Sequence, residues 1–188
     1  MNLYELPTSL TVGGVEREIR SDFRAVLDIL IALNDPDLDG QTKNAVFIQI
    51  MYPGWAEIPP EDMQEALNEA CKFIDHGQED DGKKRPRLID WEQDANLIIP
   101  AVNAVAHDEV RALPYLHWWT FLGYFMEIGD STFSTVLNIR KKRAKCKKLE
   151  KWEETFYKEN RKTVDLTVRR SQEDEAALKA LLAEWFGK

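Results

Sequence analysis

Three groups of residues have types and spacings that could bind a metal ion or move protons. The sharpest is Asp35-Pro36-Asp37-Leu38-Asp39-Gly40, which matches the opening of a calcium-binding EF-hand loop in its three carboxylates and its glycine. The last position of such a loop should be a glutamate that binds calcium through both oxygens, but here it is Val46, and the ninth position is Lys43. We therefore favour a turn between two helices, in which the aspartates serve as turn and cap residues.

Histidines are the second group, because imidazole is the usual acid–base group and metal ligand near neutral pH. No two of His76, His107 and His117 stand three or four residues apart, and none has a cysteine at that spacing. His76 precedes an acidic loop, and His107 suits the C-terminus of a helix, where a positive charge is favourable. His117 lies among aromatic residues, which predicts a position in the core or at an interface.

The third group is acidic: Asp90, Glu92 and Asp94 flank Trp91. Carboxylates at i, i+2 and i+4 do not share one helix face, so a two-metal nuclease is disfavoured. The chain also has no Gly-x-Ser-x-Gly elbow, no phosphate-binding P-loop, no Gly-x-Gly-x-x-Gly and no His-Glu-x-x-His. The sequence therefore predicts a non-enzymatic protein without catalytic residues, metal or cofactor.

Length and composition describe the class of protein that must position these residues. The 188 residues are 44% hydrophobic and 31% charged, which suits one ordinary globular domain that needs no disulfide. Only two cysteines occur, Cys71 and Cys146, and we see no basic-apolar leader and no apolar run of about 20 residues. We expect a cytoplasmic protein with no membrane partner. The net charge of -8 disfavours nucleic-acid binding by the molecule as a whole.

Apolar periodicity predicts a mainly α fold, a compact helical domain of about seven or eight helices with a small N-terminal β-hairpin at Gly13-Gly14. We expect Asp22 to cap the first helix, Pro60 to open a helix that ends near Gly77, and Pro100 to kink or split the helix that carries Trp91. Residues 1–166 are assigned to a single domain. Residues 167–188 are predicted to form a C-terminal amphipathic helix that could be an appendage.

An aromatic segment follows Pro114, with six aromatic residues between Tyr115 and Phe125. Such a density indicates a central buried helix, although some of its members could form a surface patch that a partner covers. The C-terminal apolar stripe has the same ambiguity. The candidate partner-binding residues are Trp118, Trp119, Tyr124, Trp152, Leu178, Leu182 and Trp185.

A basic run separates the aromatic segment from the C-terminus. It holds 8 of the 25 basic residues and 1 of the 33 acidic residues, so the rest of the chain holds 17 and 32 and carries about -15. The run could be a solvated helix and loop, or could bind an acidic protein surface, including another copy of the chain; a nucleic-acid site is the less favoured alternative. The basic patch comprises Arg140, Lys141, Lys142, Arg143, Lys145, Lys147, Lys148 and Lys151.

Several stretches resemble the "gene product fifteen" family of tailed phages and prophages of Gram-positive bacteria. The resemblance extends to about residue 166, and the final helix from Ser171 is less typical. The most distinctive stretch runs from Leu116 to Gly129 (LHWWTFLGYFMEIG). Others are Leu6-Pro7-Thr8 with Gly13-Gly14, Asp22-Phe23-Arg24, Asp90-Trp91 with Asp94-Ala95, Thr132 to Val136, Ile139-Arg140, Lys147 to Glu153, Phe156-Tyr157 and Asn160.

The resemblance implies a role in tail assembly. Genes of this family typically lie between those of the tail tube protein and the tape measure protein, where tail assembly chaperones of long-tailed phages (siphoviruses) are encoded. Such chaperones are small, mainly helical proteins that keep the tape measure soluble and assist tube assembly around it. We therefore expect a chaperone in the host bacterial cytoplasm that binds the tape measure protein and itself, with the tail tube protein as a further partner. The alternative is a structural component of the tail or virion.

Overall fold

The computed structural model of the chain describes residues 5–76 and 86–167. Within them, an antiparallel hairpin of β1 (Ser9–Val12) and β2 (Val15–Glu18) precedes eight α-helices, which confirms the mainly α fold with a small N-terminal hairpin. The predicted C-terminal helix, with Leu178, Leu182 and Trp185, lies outside the described residues. The helices are α1 (Phe23–Leu33), α2 (Gly40–Met51), α3 (Met63–Ile74), α4 (Ala95–Ala106), α5 (Trp118–Met126), α6 (Thr132–Ala144), α7 (Lys151–Glu159) and α8 (Arg161–Val164).

The hairpin turns at the two glycines that predicted it. Gly13 and Gly14 have φ angles of 59° and 74°, in the left-handed region that glycine adopts without strain, and Val12 pairs with Val15 across the turn. The Gly13 amide also donates to a Glu65 side-chain oxygen at 3.1 Å. This bond ties the tip of the hairpin to α3.

Side-chain caps begin four of the described helices, and the cap of three of them is an aspartate or a serine. Asp22 accepts the Arg24 amide at the start of α1, as predicted, and Asp39 accepts the Thr42 amide before α2. Ser131 opens α6 through a reciprocal capping box. Each cap satisfies backbone amides that the first helical turn leaves without partners.

Two helices differ from their predictions, one in where it begins and the other in its course through a proline. Pro60 opens a 3-10 turn, Pro60–Asp62, and α3 begins only at Met63. The helix after Trp91 begins at Ala95 and runs through Pro100 without being split, so Trp91 lies in the preceding turn. One missing backbone donor does not end α4, because buried apolar residues lie on both sides of the proline: Ile98, Ile99, Ala101 and Val102.

The main hydrophobic core joins the hairpin and α1 to α5, and Phe133 of α6 completes it. It includes a stacked pair, Phe23 and Phe121, whose ring centroids are 4.6 Å apart. The buried Tyr52 hydroxyl donates to the Ala66 carbonyl at 2.9 Å. A second, smaller cluster of three buried apolar residues joins α6 to α8: Val136, Ile139 and Val164.

Candidate partner-binding surfaces

The aromatic helix α5 is attached to the end of α3 by two consecutive tryptophans. The Trp118 indole donates to the Ile74 carbonyl at 2.9 Å, and the Trp119 indole donates to the Phe73 carbonyl at 2.8 Å. The last carbonyls of a helix have no amide partner within the helix, and the indoles donate to two of them, although the Phe73 carbonyl also accepts the His76 amide at 3.2 Å. Both tryptophans therefore have a structural contact, whatever else they bind.

These aromatics differ in their exposure. Trp118 is only 2% exposed and packs against Phe121, so the structure places this candidate partner-binding residue in the core. Trp119 and Tyr124 are half-buried and pack against the main core. The dense aromatic pattern thus marks a central helix, as expected, and Trp119 is the tryptophan of α5 that reaches the surface.

His117 caps α5 and is a core residue. Its Nδ1 accepts the Trp119 amide at 3.0 Å, so the ring proton belongs on Nε2, which lies 2.9 Å from the Pro7 carbonyl and donates to it. Burial lowers the pKa of His117; the bond to the Pro7 carbonyl acts in the opposite direction, and His76 adds to the lowering. The neutral ring therefore holds the N-terminal segment against α5.

A groove of about 630 Å³ lies beside Trp119. The N-terminal segment from Glu5 to Thr11 forms one wall, and the stacked rings of Phe73 and Trp119, 5.7 Å apart, contribute to the other. Glu69 and Lys72 also line the groove, and Leu6 is 49% exposed. Apolar walls with a few charges suit the side chains of an apolar protein segment.

The predicted basic patch is divided by the fold. Arg140 is only 6% exposed, and all five of its N–H groups donate to protein oxygens. Two bonds reach the Asp94 carboxylate, at 2.6 and 2.9 Å, and the other three reach backbone carbonyls of Leu88, Thr163 and Val164. The prediction that Arg140 belongs to a surface patch is therefore wrong. Arg140 is buried and joins α6 to α8 and to the turn before α4.

Two further members of the patch have partners on α7 and after α8. Lys142 contacts both oxygens of Glu153 at 2.7 Å. The Arg143 guanidinium lies 4.0 Å from the centre of the Tyr157 ring and 3.5 Å from Asp165. The Glu150 amide and Lys142 lower the pKa of the Glu153 carboxyl, in that order of importance, so Glu153 stays ionised and fixes the turn between α6 and α7.

The remaining five lysines of the patch are exposed, and none pairs with a carboxylate of the described residues: Lys141, Lys145, Lys147, Lys148 and Lys151. Trp152, in the first turn of α7, is 58% exposed. We call Lys145, Lys147, Lys148, Lys151 and Trp152 the basic-aromatic surface. It combines positive charge with one large apolar side chain.

The acidic candidates for metal chemistry have structural partners. Asp35 accepts the Asp37 amide, and Asp39 caps α2 through the Thr42 amide, which lowers the pKa of Asp39. Asp90 accepts two amides and pairs with Arg87, and Asp94 holds Arg140. Among residues 5–76 and 86–167, no group of three or more histidines, cysteines or acids is arranged to hold a metal ion.

Sequence reasoning missed the groove and the buried ion pair. The groove joins segments about 60 to 110 residues apart, and no local pattern indicates that contact. The ion pair did have a signal: Phe133, Val136 and Arg140 stand at i, i+3 and i+7, so Arg140 shares the apolar face of α6.

A comparison with models of protein families gives a match. The model of a family described as Bacteriophage Gp15 protein matches residues 3–166. No curated protein and no solved structure matches. The family match indicates a phage structural or virion-related protein. In the described residues, no helix combines the length and the apolar character needed to cross a membrane.

Proposed function

The chain belongs to the bacteriophage Gp15 protein family, and we propose that it is a non-enzymatic tail assembly chaperone that binds the tape measure protein during assembly of the tail tube. The family resemblance implies a long, apolar client, whose apolar surface needs cover until the tube encloses it. A chaperone for such a client needs an apolar surface that accepts a segment of another protein.

The groove beside Trp119 is the observation that supports this proposal most strongly. Its walls combine Phe73, Trp119 and the exposed Leu6, so an apolar helix face of the client has side chains to pack against. Hydrogen bonds tie both walls of the groove to the start of α5: His117 bonds to the Pro7 carbonyl, and the Trp119 indole donates to the Phe73 carbonyl. A preformed groove binds with less loss of conformational entropy than a mobile surface.

Charge favours the same function. The net charge of -8 favours solubility and helps to keep a complex with an apolar client in solution. Lys72 and Glu69, which line the groove and form an ion pair at 2.6 Å, give it a polar margin. We expect the client to place apolar residues inward and charged residues at this margin.

Co-expression with the tape measure protein of the same phage tests the proposal. Size-exclusion chromatography with light scattering should show a soluble complex, and its mass gives the stoichiometry. An insoluble tape measure, with this protein eluting alone, would contradict the proposal.

Leu6→Asp places a charge in the groove at a half-exposed position and should reduce recovery of the complex. Met126→Asp is the matched control, since Met126 is 68% exposed and does not line the groove. Both variants should remain folded, because neither side chain is in the core. Equal loss, or no loss, in the two variants would exclude the groove as the client site.

A structural component of the tail or virion is the second candidate, and the family match itself favours it. The two functions differ in where the protein is found after assembly. A chaperone is absent from purified particles, whereas a structural component is present at a fixed copy number. Mass spectrometry of purified particles separates them.

A further inference from the structure

An acidic surface lies around the tip of the hairpin. Arg17 of β2 approaches Glu57 at 3.9 Å, and Val15 is on the same face of the strand as Arg17. Glu65 accepts a hydrogen bond from the Gly13 amide, and the exposed Glu61 lies in the 3-10 turn before α3. Trp55 is 40% exposed, two residues before Glu57. We call Val15, Trp55, Glu57, Glu61 and Glu65 the acidic-aromatic surface.

The basic-aromatic surface has the opposite charge and a fixed geometry. Glu153 bonds to Lys142 and to the Glu150 amide, so the turn from α6 to α7 is held at both ends. Its lysines are exposed and Trp152 stands beside them. Each surface therefore presents one exposed tryptophan among charges of a single dominant sign, and the two signs are complementary.

We propose that the basic-aromatic surface of one copy of this chain binds the acidic-aromatic surface of a second copy. Residues of the two surfaces form no ion pair with each other within one chain in the described residues. A second copy supplies the missing complement, since the chain outside the basic run carries about -15. The tryptophans would form the apolar centre of the interface, and the charges would form its rim.

A protein partner fits this surface better than a nucleic acid does. The acids Glu150, Glu154 and Glu159 lie beside or along α7 and would repel a continuous phosphate backbone. Trp152 is the one aromatic side chain of the surface, whereas single-strand binding needs several stacking platforms.

The proposed contact uses two different surfaces, so it is heterologous. Repetition of a heterologous contact closes into a ring or grows into an open chain of copies. Its charged rim makes it sensitive to salt, because exposed ion pairs are screened at high ionic strength. The proposal does not depend on the tape measure, and its failure would leave the proposed function standing.

Paired charge reversals test the contact in the full chain. Lys147→Glu with Lys148→Glu reverses the basic-aromatic surface, and Glu57→Lys with Glu61→Lys reverses the acidic-aromatic surface. The unchanged protein should form larger species at low salt, whereas each double variant alone should be a single chain of about 21.8 kDa by light scattering. An equimolar mixture of the two variants should associate again, because each altered surface then meets a complementary one.

Matched controls carry the same charge changes elsewhere. Two control double variants alter exposed residues outside both surfaces: Lys158→Glu with Lys162→Glu, and Glu127→Lys with Asp130→Lys. Both controls should associate as the unchanged protein does. Trp152→Ser should weaken association about tenfold or more without a charge change. The proposal would be overturned if the unchanged protein were monomeric at low salt, if the mixture stayed monomeric, or if the controls also dissociated. It would also be overturned if the lysine reversal abolished only the binding of a single-stranded oligonucleotide.

Discussion

The helices before Gly129 and those after it are held together by different forces. The first region has a large apolar core with stacked aromatics, and α5 lies at its centre. In the described part of the second region, up to residue 167, three buried apolar residues form a separate small cluster, and the charged pair of Arg140 and Asp94 joins α6 to the turn before α4. Aromatic residues and Arg140 suggested binding by their types. The comparison shows that they serve largely to hold the fold together.

A cavity in the aromatic region should cause the largest loss of stability. Phe121 is fully buried and stacks on Phe23 and Trp118, so Phe121→Ala removes packing that its neighbours cannot replace. We expect the free energy of unfolding to fall by about 3–5 kcal/mol. Urea denaturation measures it. A loss below about 1 kcal/mol would show that this core can collapse around the vacancy.

In the second region, Arg140→Lys keeps the charge but removes the planar set of five donors. Lysine cannot satisfy the Asp94 carboxylate and three carbonyls together, so we expect a loss of about 1–3 kcal/mol. Arg143→Lys is the matched control on the same helix, where the side chain is 42% exposed and the loss should stay below about 0.5 kcal/mol. Equal losses in the two variants would mean that the buried pair does not hold this region together.

The aromatic region should also lose stability in mild acid. Because the pKa of His117 is lowered on folding, the unfolded chain binds a proton that the folded chain does not, and stability falls as pH drops below the ordinary histidine value of about 6.5. The slope is at most about 1.4 kcal/mol per pH unit. His117→Asn retains a cap acceptor and removes this titration. Urea midpoints at pH 7 and pH 5 should therefore differ less in the variant, and an unchanged difference would contradict the assignment.

Trp152 should have the smallest effect on stability, in sharp contrast to the buried Trp118. Trp152→Ala should change the free energy of unfolding by less than about 0.5 kcal/mol, since the side chain is exposed, whereas Trp118→Ala should cost about 3–5 kcal/mol. Thermal and urea denaturation of both variants measure the difference. Similar losses would show that Trp152 packs against protein in the folded chain.

Local patterns in the sequence predicted most of the fold. Gly13-Gly14 predicted the hairpin, Asp22 predicted the first cap, and the aromatic density predicted a buried α5. These signals succeed because each depends on residues a few positions apart. The buried position of Arg140 was not predicted, because the run of neighbouring basic residues suggested a surface and its partner Asp94 is 46 residues away.

The candidate site was less predictable for the same reason. Tryptophans at neighbouring positions, Trp118 and Trp119, differ in exposure because one indole points into the core and the other borders a groove made with the N-terminal segment. The packing of α3 against α5 and residues 5–11 decides which of the two indoles is accessible at the surface. Composition and spacing predict apolar contact surfaces without fixing which member of a pair is exposed.

Hydrogen–deuterium exchange of the chain, alone and with the tape measure protein, tests the central claim most directly. The account predicts that the client slows exchange in residues 5–11, at the end of α3 and at the start of α5, because these segments form or border the groove. Exchange in the turn between α6 and α7 should be unchanged at a salt concentration that suppresses self-association. Protection confined to that turn, or no protection of the groove in a stable complex, would contradict the account.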